Sequence, residues 1–194
     1  KDGILIDIGG ASTELVCFQN AQPVRLASMP IGCLSLFTKF VSKVIPTDKE
    51  CKAIKKEIKE QLHNIGWNEQ EAFPLMLGVG GTMRAAHKLS CGLFSITKEQ
   101  NEIKAECIRE ILRKLEDNEN KIYHTVYKLI PERTSTISTG LLILNEVIRK
   151  FNCESIFVSK YGVREGYFID RILKNGDAAC DDRTADTSIS IQSG

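Results

Sequence analysis

Two glycine pairs, Gly9-Gly10 and Gly80-Gly81, each close a short apolar run, and this repeated device constrains the fold more than any other feature of the chain. Ile4 to Ile8 (I-L-I-D-I) runs into the first pair, and Leu75 to Val79 into the second. A short apolar run ended by glycines reads as a buried strand stopped by a tight turn. After the first turn come two more strand patterns, Thr13 to Phe18 and Val24 to Met29, around a polar turn at 19–23. Three strands joined by short turns predict an antiparallel meander. After the second pair the pattern changes to a helix running through Leu89, so that turn joins strand to helix.

The remaining elements follow from periodicity and caps. Thr47 with Glu50 is a capping box, and Cys51, Ile54, Ile58, Leu62 and Ile65 fall on one face of the helix it opens, with Gly66 as its stop. Thr97 with Gln100 predicts another helix start, with Ile103, Cys107, Ile111 and Leu115 on one stripe. Residues 119–130 continue as helix up to Pro131. Thr139 to Phe151 reads as an apolar helix, Ser155 to Ser159 as a strand, and Gly162 to Leu173 as a final helix. The order is β-β-β-α-β-α, a helical insertion over about 97–135, then β-α. It predicts an α/β fold with a mixed sheet and helices on its faces. Residues 1–173 form one unit in this reading, and 174–194, rich in Gly, Asp, Ser and Thr, an irregular tail.

Composition excludes several function classes. Lys and Arg number 26 against 25 Asp and Glu, so the net charge is +1. No broad cationic surface is available for nucleic acid or an anionic membrane. A small anion held by backbone amides stays open. The seven cysteines lie 16 to 46 residues apart with no C-x-x-C pair, which argues against zinc, an iron–sulfur cluster or a disulfide framework. They read as free thiols in a cytoplasmic protein. His63, His87 and His124 make no metal-binding pair, and no apolar run is long enough to span a membrane. The chain opens at Lys1 without an initiator Met, which we read as a piece of a longer protein.

The glycine turns also carry the candidate chemistry. In Asp7-Ile8-Gly9-Gly10-Ala11-Ser12-Thr13-Glu14 the glycines let backbone N–H groups converge on an anion, and Asp7 and Glu14 flank the turn. Paired carboxylates beside a phosphate cradle suit Mg²⁺ or an oriented water. The alternative is an ordinary hairpin with capping residues. In Gly78-Val79-Gly80-Gly81-Thr82-Met83-Arg84 the free amides and positive end of a helix N-terminus coincide, and Arg84 adds a cation. Two such turns at strand carboxyl ends predict one cleft for a phosphorylated ligand. A third segment, Lys160 to Gly166, offers Arg164 and Glu165 either as ligand contacts or as a local pair and helix cap.

At these residues the chain resembles the exopolyphosphatase / guanosine pentaphosphate phosphohydrolase (Ppx/GppA) family. The match rests on D-I-G-G-A-S-T-E-L (7–15), M-P-I-G-C-L-S-L (29–36), G-V-G-G-T-M-R-A (78–85) and V-S-K-Y-G-V-R-E-G (158–166), in the family's order. The resemblance implies a ribonuclease-H-like lobe of the actin-like ATPase superfamily, and specifically the second lobe. A first lobe, with its own phosphate loop and a catalytic glutamate near the hinge, would lie outside this chain as a partner. The same resemblance implies that Gly9, Gly10, Ala11 and Ser12 hold phosphate. Asp7 and Glu14 would bind Mg²⁺ or orient water, and Gly80, Gly81 and Thr82 would line the opposite side. Ala11 stands where many members have a third glycine, and Thr134 and Ser135 follow Arg133 where the family often has Ala-Asp. The implied bacterial enzyme removes terminal phosphate from polyphosphate or guanosine pentaphosphate by in-line attack of water, with homodimerisation open. Two other readings stand beside it: a polyphosphate or alarmone sensor without catalysis, and a lobe of an ATP-dependent kinase of the same superfamily. Glu14 disfavours the kinase, since those enzymes more often place Thr and Arg after the turn.

Overall fold

The computed structural model describes residues 2–67, 72–94, 96–97, 99–117, 120–169 and 171. The expected tail at 174–194 lies outside them. Residues 1–160 form one compact unit and the chain from Tyr161 a second.

Three strands open the first unit: β1 (Gly3–Ile8), β2 (Thr13–Gln19) and β3 (Gln22–Met29). They pair antiparallel, as the meander predicts. Helices α1 (Cys33–Phe40) and α2 (Asp48–Asn64) follow, then β4 (Leu75–Val79) and α3 (Gly80–Leu93). Next come β5 (Glu102–Lys104), α4 (Ala105–Glu116), α5 (Asn120–Leu129), a 3₁₀ turn Pro131–Arg133, α6 (Ile137–Lys150) and β6 (Ser155–Val158). The six strands form one mixed sheet in the order β3-β2-β1-β4-β6-β5, with β1, β4 and β6 parallel. This is the α/β mixed sheet expected from the element order.

The register explains the core. Cys17, Ile4, Met76, Ile156 and Ile103 are successive cross-strand partners, and each is at most 1% exposed. A fully buried apolar row thus crosses five strands, which is the main stabilising contact of a sheet face. Alternate residues of β1, Leu5 and Asp7, point to the other face and are half-buried. Helices α3 and α6 lie against β1, and α6 is buried along most of its length.

Two elements differ from the sequence reading. The segment at 33–40 forms α1, which the pattern did not assign. Thr97 and Gln100 do bond to each other, Gln100 N–H to Thr97 O at 3.1 Å, but they close an isolated turn and not a helix. Ile103 then lies on β5 to complete the buried row, and α4 buries Ile108 and Leu112 where Cys107 was expected. The insertion at 97–135 is therefore partly strand. The α2 capping box is present as read: Glu50 N–H donates to Thr47 Oγ1 at 3.4 Å and Thr47 N–H to Glu50 Oε2 at 2.7 Å. In the second unit, α7 spans Val163–Phe168; of the rest of the expected Gly162–Leu173, Ile169 and Arg171 are also helical, and 170, 172 and 173 lie outside the described residues.

Candidate functional site

The first turn is a four-residue hairpin closed by Gly9 N–H donating to Ser12 O at 2.9 Å. The Gly9 amide is therefore spent inside the turn. The carbonyls of Gly9 and Gly10 accept from the first amides of α1: Cys33 N–H to Gly9 O, and Leu34 and Ser35 N–H to Gly10 O, each at 2.9 Å. They cap donors that a helix cannot satisfy itself. Among the described residues no peptide bond is cis. In a trans peptide the N–H opposes the C=O, so the amides of Gly10 and Ala11 point away from α1. The turn thus has its acceptors drawn inward and its donors turned out, the polarity an anion site needs. Gly32 makes this docking possible, because a Cβ there would lie 2.5 Å from the Gly10 carbonyl.

Asp7 and Glu14 are direct cross-strand partners on β1 and β2, and Ser28 on β3 continues the row. Their side chains therefore leave the same sheet face side by side. The Ser28 hydroxyl donates to Glu14 Oε1 at 3.3 Å. Burial, and then the neighbouring Glu14 charge, raise the Asp7 carboxyl above its ordinary 3.8, while Arg84 opposes the shift. Two hard oxygen donors that repel each other fit a divalent cation such as Mg²⁺, which takes one or two carboxylates and fills its remaining positions with water and phosphate oxygens. Among the described residues no group of three or more His, Cys, Asp or Glu forms a closed cage.

The second turn leaves β4 beside the first, since Asp7 and Val79 are register partners in the parallel pair. Gly80 has φ +85, and a Cβ there would fall 2.3 Å from Asp7 Oδ1. Glycine therefore serves both the left-handed backbone and the close seat of the carboxylate. No side chain caps α3, so its first-turn amides at Gly80, Gly81 and Thr82 have no partner within the helix. Thr82 is 2% exposed, and its hydroxyl donates to Ile8 O at 2.9 Å, which ties the two turns together. Its contribution toward a ligand is thereby restricted to its backbone.

Asp7, Gly9–Ser12, Glu14, Gly80–Thr82 and Arg84 gather at the carboxyl ends of the two central strands, β1 and β4. Arg133, which the sequence pattern did not point to, joins them. The Arg133 guanidinium lies over Gly81, so close that a Cβ on that glycine would be 2.0 Å from Nη2. Arg133 ends the 3₁₀ turn before α6, and its N–H donates to Ile130 O at 2.9 Å. The available signal was Pro131 closing α5, which marks a corner but not where it points. In the second unit Gly162 N–H donates to Glu165 Oε2 at 2.8 Å, so Glu165 caps α7, the local alternative left open for that segment.

Residues 1–175 match the sequence model of the Ppx/GppA phosphatase family. A guanosine-5'-triphosphate,3'-diphosphate pyrophosphatase of Aeromonas salmonicida (strain A449) is 24% identical over 96% of this chain, which spans 37% of that relative. Its counterpart in Aeromonas hydrophila subsp. hydrophila is 23% identical with the same coverage. The Aquifex aeolicus Ppx/GppA crystal structure superposes with a TM-score of 0.74 at 21% identity, covering 90% of this chain and 57% of that one. An exopolyphosphatase from Cytophaga hutchinsonii gives 0.70 at 16% identity, covering 90% of this chain and 57% of that one. The actin-like fold implied by the resemblance is thus the fold of the chain.

Proposed function

The chain belongs to the Ppx/GppA phosphatase family, and we propose that it is the second, phosphate-binding lobe of a two-lobed hydrolase that removes terminal phosphate from guanosine pentaphosphate or polyphosphate. The observation that carries this reading is the Asp7–Glu14 pair set between two turns with outward or uncapped amides. The names of the Aeromonas relatives favour guanosine pentaphosphate, and that of the Cytophaga protein favours polyphosphate.

In this reading the amides of Gly10, Ala11 and Ser12 hold one set of phosphate oxygens. Those of Gly80, Gly81 and Thr82, at the positive end of α3, hold another. Arg84 and Arg133 add cations where negative charge gathers on the transferred group. Asp7 and Glu14 would hold Mg²⁺, which when bound would neutralise charge on the phosphate oxygens. Seating the substrate in line with water is the main task left to the protein, because this chemistry depends on positioning and charge more than on covalent steps. The general base belongs to the first lobe, outside this chain.

The test is phosphate release by the full-length protein from each substrate in the presence of Mg²⁺. Asp7→Ala and Glu14→Ala are each expected to lower kcat at least ~100-fold. Full activity in Glu14→Ala would remove it from the mechanism. Phosphorylation of a sugar or acid at the expense of ATP would overturn the hydrolase reading altogether.

A further inference from the structure

Away from the glycine turns, α3 and α5 border an open cavity of about 600 Å³ lined by His87, Lys88, Cys91, Ile96, Lys128 and Leu129, among others. Gly92 lets α5 approach this closely, because a Cβ there would lie 2.4 Å from Leu129 Cδ1. His87 and Cys91 are one helical turn apart on the same face of α3. Both are half-buried and open to the cavity.

The histidine is oriented. Its Nε2 lies 2.6 Å from Gln100 O. A carbonyl can only accept, so Nε2 carries a proton and Nδ1 is the nitrogen left for another partner. Cys91 Sγ lies 3.9 Å from Nδ1 and 3.6 Å from Nε2, within reach of both ring nitrogens. Proton transfer from the thiol to Nδ1 gives an imidazolium whose charge is shared by both nitrogens and sits against the thiolate. The Thr97 carbonyl also faces Sγ, at 3.8 Å. It is a neutral dipole at the outer limit of contact, and the imidazolium brings a full charge. Lys88 and Lys128 add two cations at the cavity wall. A cysteine beside a histidine and lysines, partly exposed, has the surroundings of a reactive thiol.

We infer that Cys91 is a thiol–disulfide exchange site for small anionic disulfides, with His87 holding the thiolate and Lys88 and Lys128 receiving the ligand's carboxylates. The Cys91 thiolate attacks one sulfur of the disulfide. A new S–S bond forms to Cys91, the old S–S bond breaks, and its electron pair leaves on the departing sulfur. The proton that left Cys91 ends on that thiol. Cys91 is oxidised to a mixed disulfide and one equivalent of small thiol is the reduced product. Cys91 itself lines the cavity, whose volume of about 600 Å³ has room for a tripeptide-sized adduct. The other five cysteines described serve as controls: Cys17, Cys33, Cys51 and Cys153 are buried, and Cys107 is half-buried as Cys91 is.

The experiment follows oxidised glutathione and the uncharged 2-hydroxyethyl disulfide reacting with the full-length protein, read by peptide mass spectrometry. Cys91 is expected to take up glutathione at least ~10-fold faster than Cys107. His87→Gln should slow Cys91 about 10-fold with both disulfides. Lys88→Gln combined with Lys128→Gln should slow glutathione alone. Unchanged melting temperatures keep these variants interpretable, and alkylation of native Cys91 by iodoacetamide gives a readout that needs no variant. Equal rates at Cys91 and Cys107, or an unchanged rate in His87→Gln, would overturn the proposal. Equal slowing of both disulfides by the lysine changes would overturn the anionic specificity.

Discussion

Arg133 and Gly81 depend on each other's size. The guanidinium occupies the space that any side chain at position 81 would take. Because it is the free end of a flexible chain, Gly81→Ala displaces it without breaking the core, and alanine is the better helix former. Expected is a melting temperature within about 2 °C of the parent, and a KM for the phosphorylated substrate raised about 10-fold. Arg133→Ala should raise KM alike, and the double variant little further, because both changes remove the same contact. Additive effects in the double variant would separate the two residues. Asp7 carries a second prediction at this scale. Its folded carboxyl titrates above the ordinary 3.8, raised first by burial and then by Glu14. The folded state therefore holds this proton more tightly than the unfolded chain does. The associated stability is complete below pH 3.8 and is lost as pH rises through the folded value. At neutral pH without divalent cation, Asp7→Asn should melt about 1–3 °C above the parent, with the gap closing in acid. Mg²⁺ should raise the melting temperature of the parent and not of the variant. A variant less stable than the parent at pH 7 would contradict this reading of the pair.

Element placement divides along what a segment's own residues determine. The hairpin of β1 and β2 was legible because its turn is local: once Gly9–Ser12 is a four-residue turn, Asp7 must face Glu14. Helix α2 was legible because its cap and its stripe both lie within it. Helix α1 was not, because the acceptors that cap it are the carbonyls of Gly9 and Gly10, more than twenty residues upstream. Strand β5 has three residues, too few for its alternation to be told from a helical stripe, and the row ending at Ile103 decides it. Arg133 was missed as a site residue for the same reason, since its partner Gly81 lies fifty residues away in sequence. The α1 corner makes a direct test. Gly32→Ala sets a methyl 2.5 Å from the rigid backbone of Gly10. It should cost about 1–3 kcal/mol in denaturant unfolding and weaken phosphate binding along with it. Stability unchanged by this substitution would show that α1 can leave the turn freely.

At the level of the whole molecule, folding and turnover should come apart. The apolar row from Cys17 to Ile103 and the buried length of α6 lie within residues 1–160, so the core of this unit is built from its own residues. Its two turns need nothing else to aim their amides. Yet the chain spans 37% of the Aeromonas relatives and 57% of the Aquifex structure. If Asp7 and Glu14 hold the cation as proposed, no carboxylate of the site is left to take a proton from water. The 194-residue chain is therefore expected to unfold in one cooperative transition from its 1–160 unit. It should be stabilised by phosphate with Mg²⁺, and should release no phosphate from polyphosphate or guanosine pentaphosphate above background. Joining it to the remainder of its protein should restore release. That restored activity should disappear with Glu14→Ala, while cooperative unfolding persists. Turnover by the isolated chain at the rate of the full-length protein would place the general base within these residues and sink the division of labour between the lobes.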